Sequence, residues 1–366
     1  MKFEDIAKGN EIEKTGSYFG TVKIGIAAGL QAARQAACGC GLLFMILLLG
    51  LISWGAVQDA EALPRQEVSA AAPLVLQQGD FTFWLKPAKP RPGQAVALFG
   101  RTKAGKPLPF TRIAAGKKIF KLERLAAGSR GVVAVPLGTR PGAWQLRFLA
   151  PGADVAGITL ELTVVPCDYG EQRLSLPSGM VTPIKPRVLT KIRHDRKELR
   201  RVYGSSGTRL LLEGPVRPPL DHEITSTFGR RRLLNGKPKA PHGGIDYRAK
   251  VGVPVPAAAA GRVALAEKLY YSGNLVLIDH GLDIFTLYMH LSRFNCHPGE
   301  RVARGQIIGY SGCSGRATGP HLHWGVKING VFVDPLAFAR LSRFLLQPPW
   351  SSTEKSRTAL KNRKTF

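Results

Sequence analysis

Three stretches organise this chain: Pro241-His-Gly-Gly-Ile-Asp246, Tyr288-Met-His290 and Gly319-Pro-His-Leu-His-Trp324. They hold four of the eight histidines of the 366-residue chain, together with one aspartate. Glycine and proline around these sites exclude a helical metal-binding motif. Within each stretch the polar residues are an even number of positions apart, so on extended chain their side chains share one face. One β-sheet can therefore direct them all into a single groove.

Imidazole and carboxylate groups together form the ligand set of a catalytic zinc, which keeps one coordination position for water. The spacing from His242 to Asp246 is a weak signal by itself. The pair His321 and His323 is a moderate one, since it also fits a structural role. Their combination is far more specific and predicts a metal site.

The composition is that of a folded protein, with 44% hydrophobic and 21% charged residues, and the length allows two or three domains. The net charge of +27 predicts an anionic partner. Nucleic acid, acidic lipid and bacterial envelope polymers all qualify. No nucleic-acid-binding motif is visible in the sequence, so no nucleic acid partner is expected.

An uncharged run of 22 residues, 36–57, predicts a transmembrane signal anchor. Lys23 and Arg34 precede it and acidic residues follow it, which predicts a cytoplasmic N-terminus over 1–35 and places the rest of the chain outside the membrane. The alternative is a cleaved signal peptide, for which Ala60-Glu-Ala62 offers a small-x-small site. The favoured prediction is therefore a single-pass membrane protein with an extracytoplasmic catalytic part.

The rest of the chain is predicted to be mainly β. A linker over 58–80 leads to short alternating runs with Pro-Gly turns over 81–166, which predict a β-sandwich module. Residues 167–212 form a basic connector, which is either a solvated face or a basic helix lying on a neighbour. Glycine-broken strands over 213–345 predict a second, antiparallel β domain with an open groove, and 346–366 a basic disordered tail.

The five cysteines contain no CxxC pair, so a thiolate zinc site is not expected. If this part of the chain is extracytoplasmic, Cys296 and Cys313 are candidates for a disulfide. Two free thiols are the alternative.

Residues 213–335 resemble the M23 family of zinc metallopeptidases, the lysostaphin-type peptidoglycan endopeptidases. The resemblance covers about a third of the chain and includes every motif of the family. The β module also resembles, more loosely, a sandwich found upstream of the peptidase in membrane-anchored members. The matching segments are Ser226-Thr-Phe-Gly-Arg-Arg-Arg232, His242-Gly-Gly-Ile-Asp246, Tyr288-Met-His-Leu-Ser292, Gly305-Gln-Ile-Ile-Gly309 and Thr318-Gly-Pro-His-Leu-His-Trp-Gly325.

The resemblance implies a role for each motif residue. It assigns one Zn²⁺ to three ligands, which are His242, Asp246 and His323. It places His290 and His321 beside the metal-bound water as catalytic residues, without assigning which accepts and which donates the proton. Tyr288, expected on the strand face of His290, is a candidate substrate or oxyanion contact, or else a packing aromatic.

Other polar residues near the motifs are given different roles. His280 is expected to form structural hydrogen bonds outside the metal set, and His194, His222 and His297 to be solvated. Arg230, Arg231 and Arg232 are candidates for binding substrate carboxylates, with an ordinary surface role as the alternative.

The predicted function is zinc-dependent hydrolysis of peptide cross-links or stems in bacterial peptidoglycan during cell-wall remodelling. The alternative is a non-catalytic wall-binding relative that activates another hydrolase, but such relatives usually lack metal ligands. Pro298–Gly309 resembles half of a biotinyl domain, but the lysine motif of such a domain is missing. A further hypothesis is that the β module and the connector cover the groove until substrate or a regulatory protein partner moves them.

Overall fold

The computed structural model describes residues 72–152, 156–175, 186–238 and 240–351. The predicted anchor 36–57 and the cytoplasmic segment 1–35 lie outside these residues. Among the described helices, none has both the length and the apolar character needed to cross a bilayer. The described chain is mainly antiparallel β-structure with two helices, which confirms the mainly β prediction.

The upstream module is one eight-stranded antiparallel sheet with the strand order β1-β2-β3-β6-β5-β4-β7-β8. It begins at Leu74, inside the predicted linker. The rings of Phe83 and Phe148 lie 5.0 Å apart although their strands are not neighbours, so the sheet folds over on itself as a sandwich. Its strands are β1 (Leu74–Gln78), β2 (Phe81–Lys86), β3 (Ala95–Thr102), β4 (Arg112–Ala115), β5 (Lys118–Leu125), β6 (Gly128–Ala134), β7 (Gly142–Leu149) and β8 (Ala156–Val164).

The second domain contains a sheet with the order β10-β13-β21-β17-β16-β15-β19, to which β22 is added beside β21. Two three-stranded sheets flank it, β12-β11-β9 and β14-β20-β18. Its strands are β9 (Glu171–Leu174), β10 (Ile224–Ser226), β11 (Arg231–Leu234), β12 (Lys237–Pro238), β13 (Ile245–Arg248), β14 (Pro254–Pro256), β15 (Gly261–Leu269), β16 (Gly273–Asp279), β17 (Ile284–Leu291), β18 (Arg293–Phe294), β19 (Arg301–Val302), β20 (Ile307–Tyr310), β21 (His321–Ile328) and β22 (Val331–Val333).

The basic connector joins this domain through both of its elements. Strand β9 pairs in parallel with β11. Helix α1 (Pro186–Tyr203) buries Ile192 and Val202, and its Asp195 carboxylate accepts a 2.7 Å hydrogen bond from the backbone N–H of Tyr270. Because an apolar stripe and a buried carboxylate both face the sheet, the connector is a helix held on its neighbour and not a fully solvated charge run.

The sandwich and the second domain share a packed interface. Helix α2 (Pro335–Leu346) begins at the N-cap Asp334 and lies against β3, where the rings of Phe99 and Phe344 are 5.3 Å apart. Lys121 on β5 forms a 2.7 Å ion pair with Asp283. These contacts make the module a fixed support for the second domain.

Two further expectations differ from the structure. Trp350 is 5% exposed and its ring packs 5.6 Å from that of Phe99, so the start of the predicted disordered tail lies on the sandwich. Cys296 is buried and Cys313 is exposed, and both are free thiols, so the candidate disulfide is not formed. Burial raises the pKa of the Cys296 thiol to about 11, which keeps it protonated at neutral pH.

Lys327 on β21 lies between the rings of Tyr203 and Phe332, at 4.3 and 4.4 Å from their centroids. Burial, followed by the charge of Lys118, lowers its pKa from 10.5 to about 8. Between these two values the unfolded chain binds more protons than the folded one, so folding stability rises with pH. The cation–π contacts offset part of this cost.

We therefore expect wild type to gain about 1.5 kcal/mol in free energy of unfolding relative to the Lys327→Met variant between pH 8 and pH 9.5, since the opposing effect of the Cys296 thiol is common to both proteins. Urea unfolding at several pH values measures it, and staying below pH 9.5 avoids tyrosine ionisation. An equal pH dependence in both proteins would show that Lys327 keeps its proton throughout this range.

Candidate metal and catalytic site

Antiparallel pairing brings the last two motifs to the first. Asp246 on β13 lies directly opposite His323 on β21, and His323 lies opposite Met289 on β17. Directly opposed residues point to the same face of a sheet, so the Asp246 and His323 side chains meet there. His242 lies just before β13, where its backbone N–H donates to the Arg230 carbonyl at 3.0 Å. The His242 ring lies on the same face, where its Nε2 is 3.0 Å from Asp246 Oδ1.

The three predicted metal ligands converge on one point. His242 Nε2 lies 3.0 Å from both Asp246 Oδ1 and His323 Nδ1, and the latter two atoms are 2.7 Å apart. The Nδ1–H of His242 donates to the Thr227 carbonyl at 2.8 Å, which leaves the Nε2 lone pair directed at its neighbours. Tetrahedral zinc with bonds of about 2.0–2.1 Å needs ligand atoms about 3.3 Å apart. The donor set therefore fits zinc after a small expansion.

A ring of polar groups orients these ligands. The Arg232 guanidinium donates to Asp246 Oδ2 at 2.9 Å, leaving Oδ1 for the cluster. Burial by itself would raise the pKa of Asp246, but its contacts with the His242 and His323 side chains outweigh burial and hold that pKa far below its usual range. Burial lowers the pKa of His242, so its ring is neutral at neutral pH. A carboxylate and a neutral imidazole are the protonation states that a metal requires.

The connector supplies one more residue to this group of polar side chains, and it lies outside every sequence motif. Gln172 on β9 accepts hydrogen bonds through Oε1 from Ser226 at 3.0 Å and from Arg232 at 3.2 Å. Partners of metal ligands fix ligand orientation and affect metal affinity. No motif marked Gln172, because the parallel pairing of β9 with β11 alone brings it here.

Gly244 permits the close approach of the first and last motifs. A Cβ at this position would lie 2.4 Å from the Trp324 carbonyl oxygen and 2.7 Å from His323 Nε2. Both distances are below any real Cβ contact, so a side chain would displace β21 or the His323 ring.

His290 and His321 lie beside the cluster, with ring centroids 4.6 Å apart. His290 donates from Nδ1–H to the Ser314 carbonyl, and His321 from Nδ1–H to the Gly319 carbonyl, both at 2.8 Å. A carbonyl only accepts, so in each neutral ring the Nε2 atom is a free proton acceptor. Burial, then the nearby His321, lowers the pKa of His290 to about 4, so His290 is neutral at pH 7.

The structure corrects the placement of Tyr288. A register shift between β16 and β17 adds a residue near Met289, and His290 has a left-handed φ of 63°. This β-bulge breaks the alternation, so Tyr288 and His290 do not share a face, contrary to the expectation from regular strand alternation. Tyr288 is fully buried, and its hydroxyl accepts a 2.7 Å hydrogen bond from the Ala258 N–H. It is therefore a core residue and not a substrate contact.

The Tyr288→Phe variant is expected to leave the chemistry of the site unchanged and to lose about 1–3 kcal/mol of stability, because the buried Ala258 N–H loses its acceptor. Urea denaturation and steady-state kinetics on the same preparation measure the two effects. A fall of kcat/KM beyond about tenfold with unchanged stability would place the hydroxyl in the reaction after all.

The other histidines and arginines singled out from the sequence differ in burial and in their partners. His280 is buried outside the cluster, bonded to the Ala260 carbonyl at 2.7 Å and to Thr286 Oγ1 at 2.8 Å, as a structural histidine would be. The surface histidines 194, 222 and 297 are exposed. Among the three arginines 230–232, Arg232 is the one that lines the groove, and it binds Asp246 instead of being free for substrate.

The site opens into a groove of about 700 Å³. Asp246 and His323 of the ligand cluster line the groove, whereas His242 is 1% exposed and lies beneath its surface. Gln172 and Arg196 of the connector also line it, whereas no described residue of the sandwich does. The connector therefore borders the groove, and the β module does not cover it in this structure. The other lining residues include Met289, Tyr271, Ser272, Arg316, Thr318 and Pro320.

An open β-sheet groove with a His-Asp-His cluster and two adjacent imidazoles defines a hydrolase-type site. Comparison with known proteins agrees with this class. Residues 240–335 match the model of peptidase family M23, and the chain therefore contains a domain of that family.

Two curated relatives share the matched region. The peptidoglycan DD-endopeptidase ShyC of Vibrio cholerae is 41% identical over 136 residues, which are 36% of this chain and 31% of that protein. The DD-carboxypeptidase/endopeptidase Mpg of Neisseria meningitidis is 40% identical over 124 residues, 34% of this chain and 29% of that protein. The chain thus spans about a third of the length of these relatives.

A solved structure extends the likeness beyond the peptidase domain. The crystal structure of a peptidase M23 from Pseudomonas aeruginosa is 28% identical, with a TM-score of 0.51, over 70% of this chain and 96% of that chain. Residues from 240 onward are too few to make up that share, so the match includes part of the chain upstream of the family domain.

Proposed function

We propose that the protein is a zinc-dependent endopeptidase that hydrolyses peptide cross-links or stems of bacterial peptidoglycan. The observation that carries the proposal is that the ligand atoms of His242, Asp246 and His323 lie within 3.0 Å of one another. Two further histidines lie next to them in an open groove. The peptidoglycan substrate rests on the similarity to ShyC and Mpg, whose names describe peptidoglycan or DD-peptidase activity. A relative that has lost catalysis would not be expected to retain all five groups.

His242 Nε2, Asp246 Oδ1 and His323 Nδ1 would hold the ion. Zinc bound there would supply Lewis acidity, lowering the pKa of a water molecule and polarising the scissile carbonyl. Arg232 fixes the orientation of Asp246 through Oδ2, so Oδ1 stays directed at the ligand cluster.

The two other histidines would handle the protons. His290 Nε2 is unprotonated at pH 7 and can accept the proton of the attacking water, while its Nδ1–H stays bonded to Ser314. His321 Nε2 lies 4.0 Å from Asp246 Oδ1, next to the cluster, and after protonation can donate to the leaving amine. The reverse assignment uses the same two atoms and is equally compatible with the geometry. His290 is buried, so bulk water has little access to the proton that its Nε2 accepts.

The test uses purified protein and isolated peptidoglycan sacculi. Released muropeptides are analysed by mass spectrometry after incubation without additions, with a chelator, and with a chelator followed by zinc. We expect cleavage that disappears with the chelator and returns with zinc. Binding to sacculi with no product under any condition would instead favour a wall-binding protein that acts on another hydrolase.

We also propose that the protein acts on the outer side of the cytoplasmic membrane, anchored through 36–57. The support is the uncharged length of that run and the charge asymmetry around it. Membrane fractionation combined with protease accessibility of intact spheroplasts would test the orientation.

A further inference from the structure

Two arginines that have no acidic partner among the described residues border the groove next to the ligand cluster. Arg196 lies on helix α1 and Arg316 in the loop before β21, and both line the groove with exposed side chains. In the part of the chain that the structure describes, neither forms an ion pair with a carboxylate. Arg232 differs, because it is bound to Asp246 at 2.9 Å. The first two guanidinium groups are therefore available to a ligand.

The charge balance of the groove favours an anionic ligand. Among its described lining residues, Asp246 is the one acidic group, against three arginines. That carboxylate is already engaged by Arg232 and by the histidines. Positive groups that line a cleft attract and orient negative groups of a substrate. A neutral or cationic peptide would leave these arginines without a partner.

Contacts with Tyr271 position Arg316 for binding an anionic group. Its guanidinium lies 4.5 Å from the ring centroid of Tyr271, and its backbone N–H donates to the Tyr271 carbonyl at 3.0 Å. Stacking on one ring face leaves the N–H edges of a guanidinium free to bind a carboxylate through two hydrogen bonds. Arg316 and Arg232 both line the groove.

Arg196 is positioned by the same turn between β15 and β16. The preceding residue, Asp195, accepts the hydrogen bond from the N–H of Tyr270, next to the Tyr271 that supports Arg316. Ile192 and Val202 bury the helix face on the sheet, so the helix has a fixed position along the groove. A single turn thus fixes one arginine from the connector and one from the peptidase domain.

We propose that Arg196 and Arg316 recognise free carboxylates of the substrate peptide and make the enzyme selective for anionic peptides over their amidated forms. The inference rests on the proposed function, since it concerns the peptide that occupies the same groove. The connector is then a substrate-binding wall of the site, and Arg196 is a specificity residue contributed from outside the family domain.

The test compares two synthetic cross-linked peptides that differ only in having free carboxylates or carboxamides. Binding to the full chain is measured by calorimetry in the presence of EDTA, so that no turnover occurs. The proteins are wild type, Arg196→Gln, Arg316→Gln and the double variant. Arg187→Gln is the control, since Arg187 is an exposed residue on the same helix about 180° away from Arg196 and does not line the groove.

Wild type and the control are expected to bind the carboxylate peptide about 10–100-fold more tightly than the carboxamide peptide. Each single variant should lose about tenfold of this preference, and the double variant should bind both peptides within about twofold. Affinity for the carboxamide peptide should stay unchanged in all variants. Equal binding of the two peptides by wild type, binding of neither, or a preference that persists in the double variant would overturn the inference.

Cleavage of both peptides by the zinc-loaded protein separates the two proposals. Cleavage with no carboxylate preference in binding or kcat/KM would reject the arginine inference and keep the peptidase function. The predicted binding preference without cleavage of either peptide would reject the peptidase function and keep the arginine inference.

Discussion

Replacing His242 with alanine is expected to remove the bound metal and to reduce peptidoglycan hydrolysis at least about 10³-fold. His242 Nε2 is 3.0 Å from each of the other two ligand atoms, so its loss leaves one carboxylate and one imidazole. Even loss of a partner of a ligand typically costs about 10–100-fold in metal affinity, and loss of a ligand costs more. Zinc content by mass spectrometry and release of muropeptides measure the two effects on one sample.

His297→Ala is the matched control, because it removes a histidine whose side chain is 92% exposed and does not line the groove. It should retain both zinc and activity. Circular dichroism of each variant excludes unfolding as the cause of lost activity. A His242→Ala protein that is folded, binds one zinc with unchanged affinity and hydrolyses sacculi would refute the assigned ligand set.

The His290→Ala variant should keep its zinc and lose about 10²–10⁴-fold in kcat, the usual contribution of a general base or acid. The physical reason is that His290 does not belong to the converging ligand atoms, whereas its Nε2 is the free acceptor of a ring anchored on Ser314. Metal content, kcat and KM are measured together. KM should change little, because the ring is expected to act on the transition state.

His290→Gln sharpens this test. Glutamine retains a polar side chain that can hydrogen-bond, but it cannot take a proton at neutral pH. Activity restored by glutamine would mean that His290 only orients the substrate or water. Loss of zinc from either variant would instead make His290 part of the metal site.

The sequence was most informative where function depends on pattern. That the Asp246 and His323 side chains point into one groove was foreseeable, because an alternating strand directs every second residue to one face. The expectation that Tyr288 shares a face with His290 was wrong for a local reason. One extra residue in β17 and the positive φ of His290 reverse the alternation, and neither leaves a clear mark in the residue types.

Residues outside the motifs were missed for a different reason. Gln172 and Arg196 lie in a connector whose composition indicates only a basic, polar segment. Their proximity to the ligands depends on a parallel strand pair and on a hydrogen bond from Tyr270 to Asp195. Such contacts join residues far apart in sequence, so no local pattern reports them.

The sequence by itself determined the mainly β class, the five polar groups of the site and the chemistry they can perform, because strand period and ligand type are properties of the residues themselves. Tertiary structure alone decided which of the nearby polar groups face the groove. It buried Tyr288, bound Arg232 to Asp246 and left Arg316 and Arg196 at the groove wall without an acidic partner among the described residues. The physical reason is that burial and partnership depend on strand register, bulges and long-range packing, which are fixed only when the whole chain has folded.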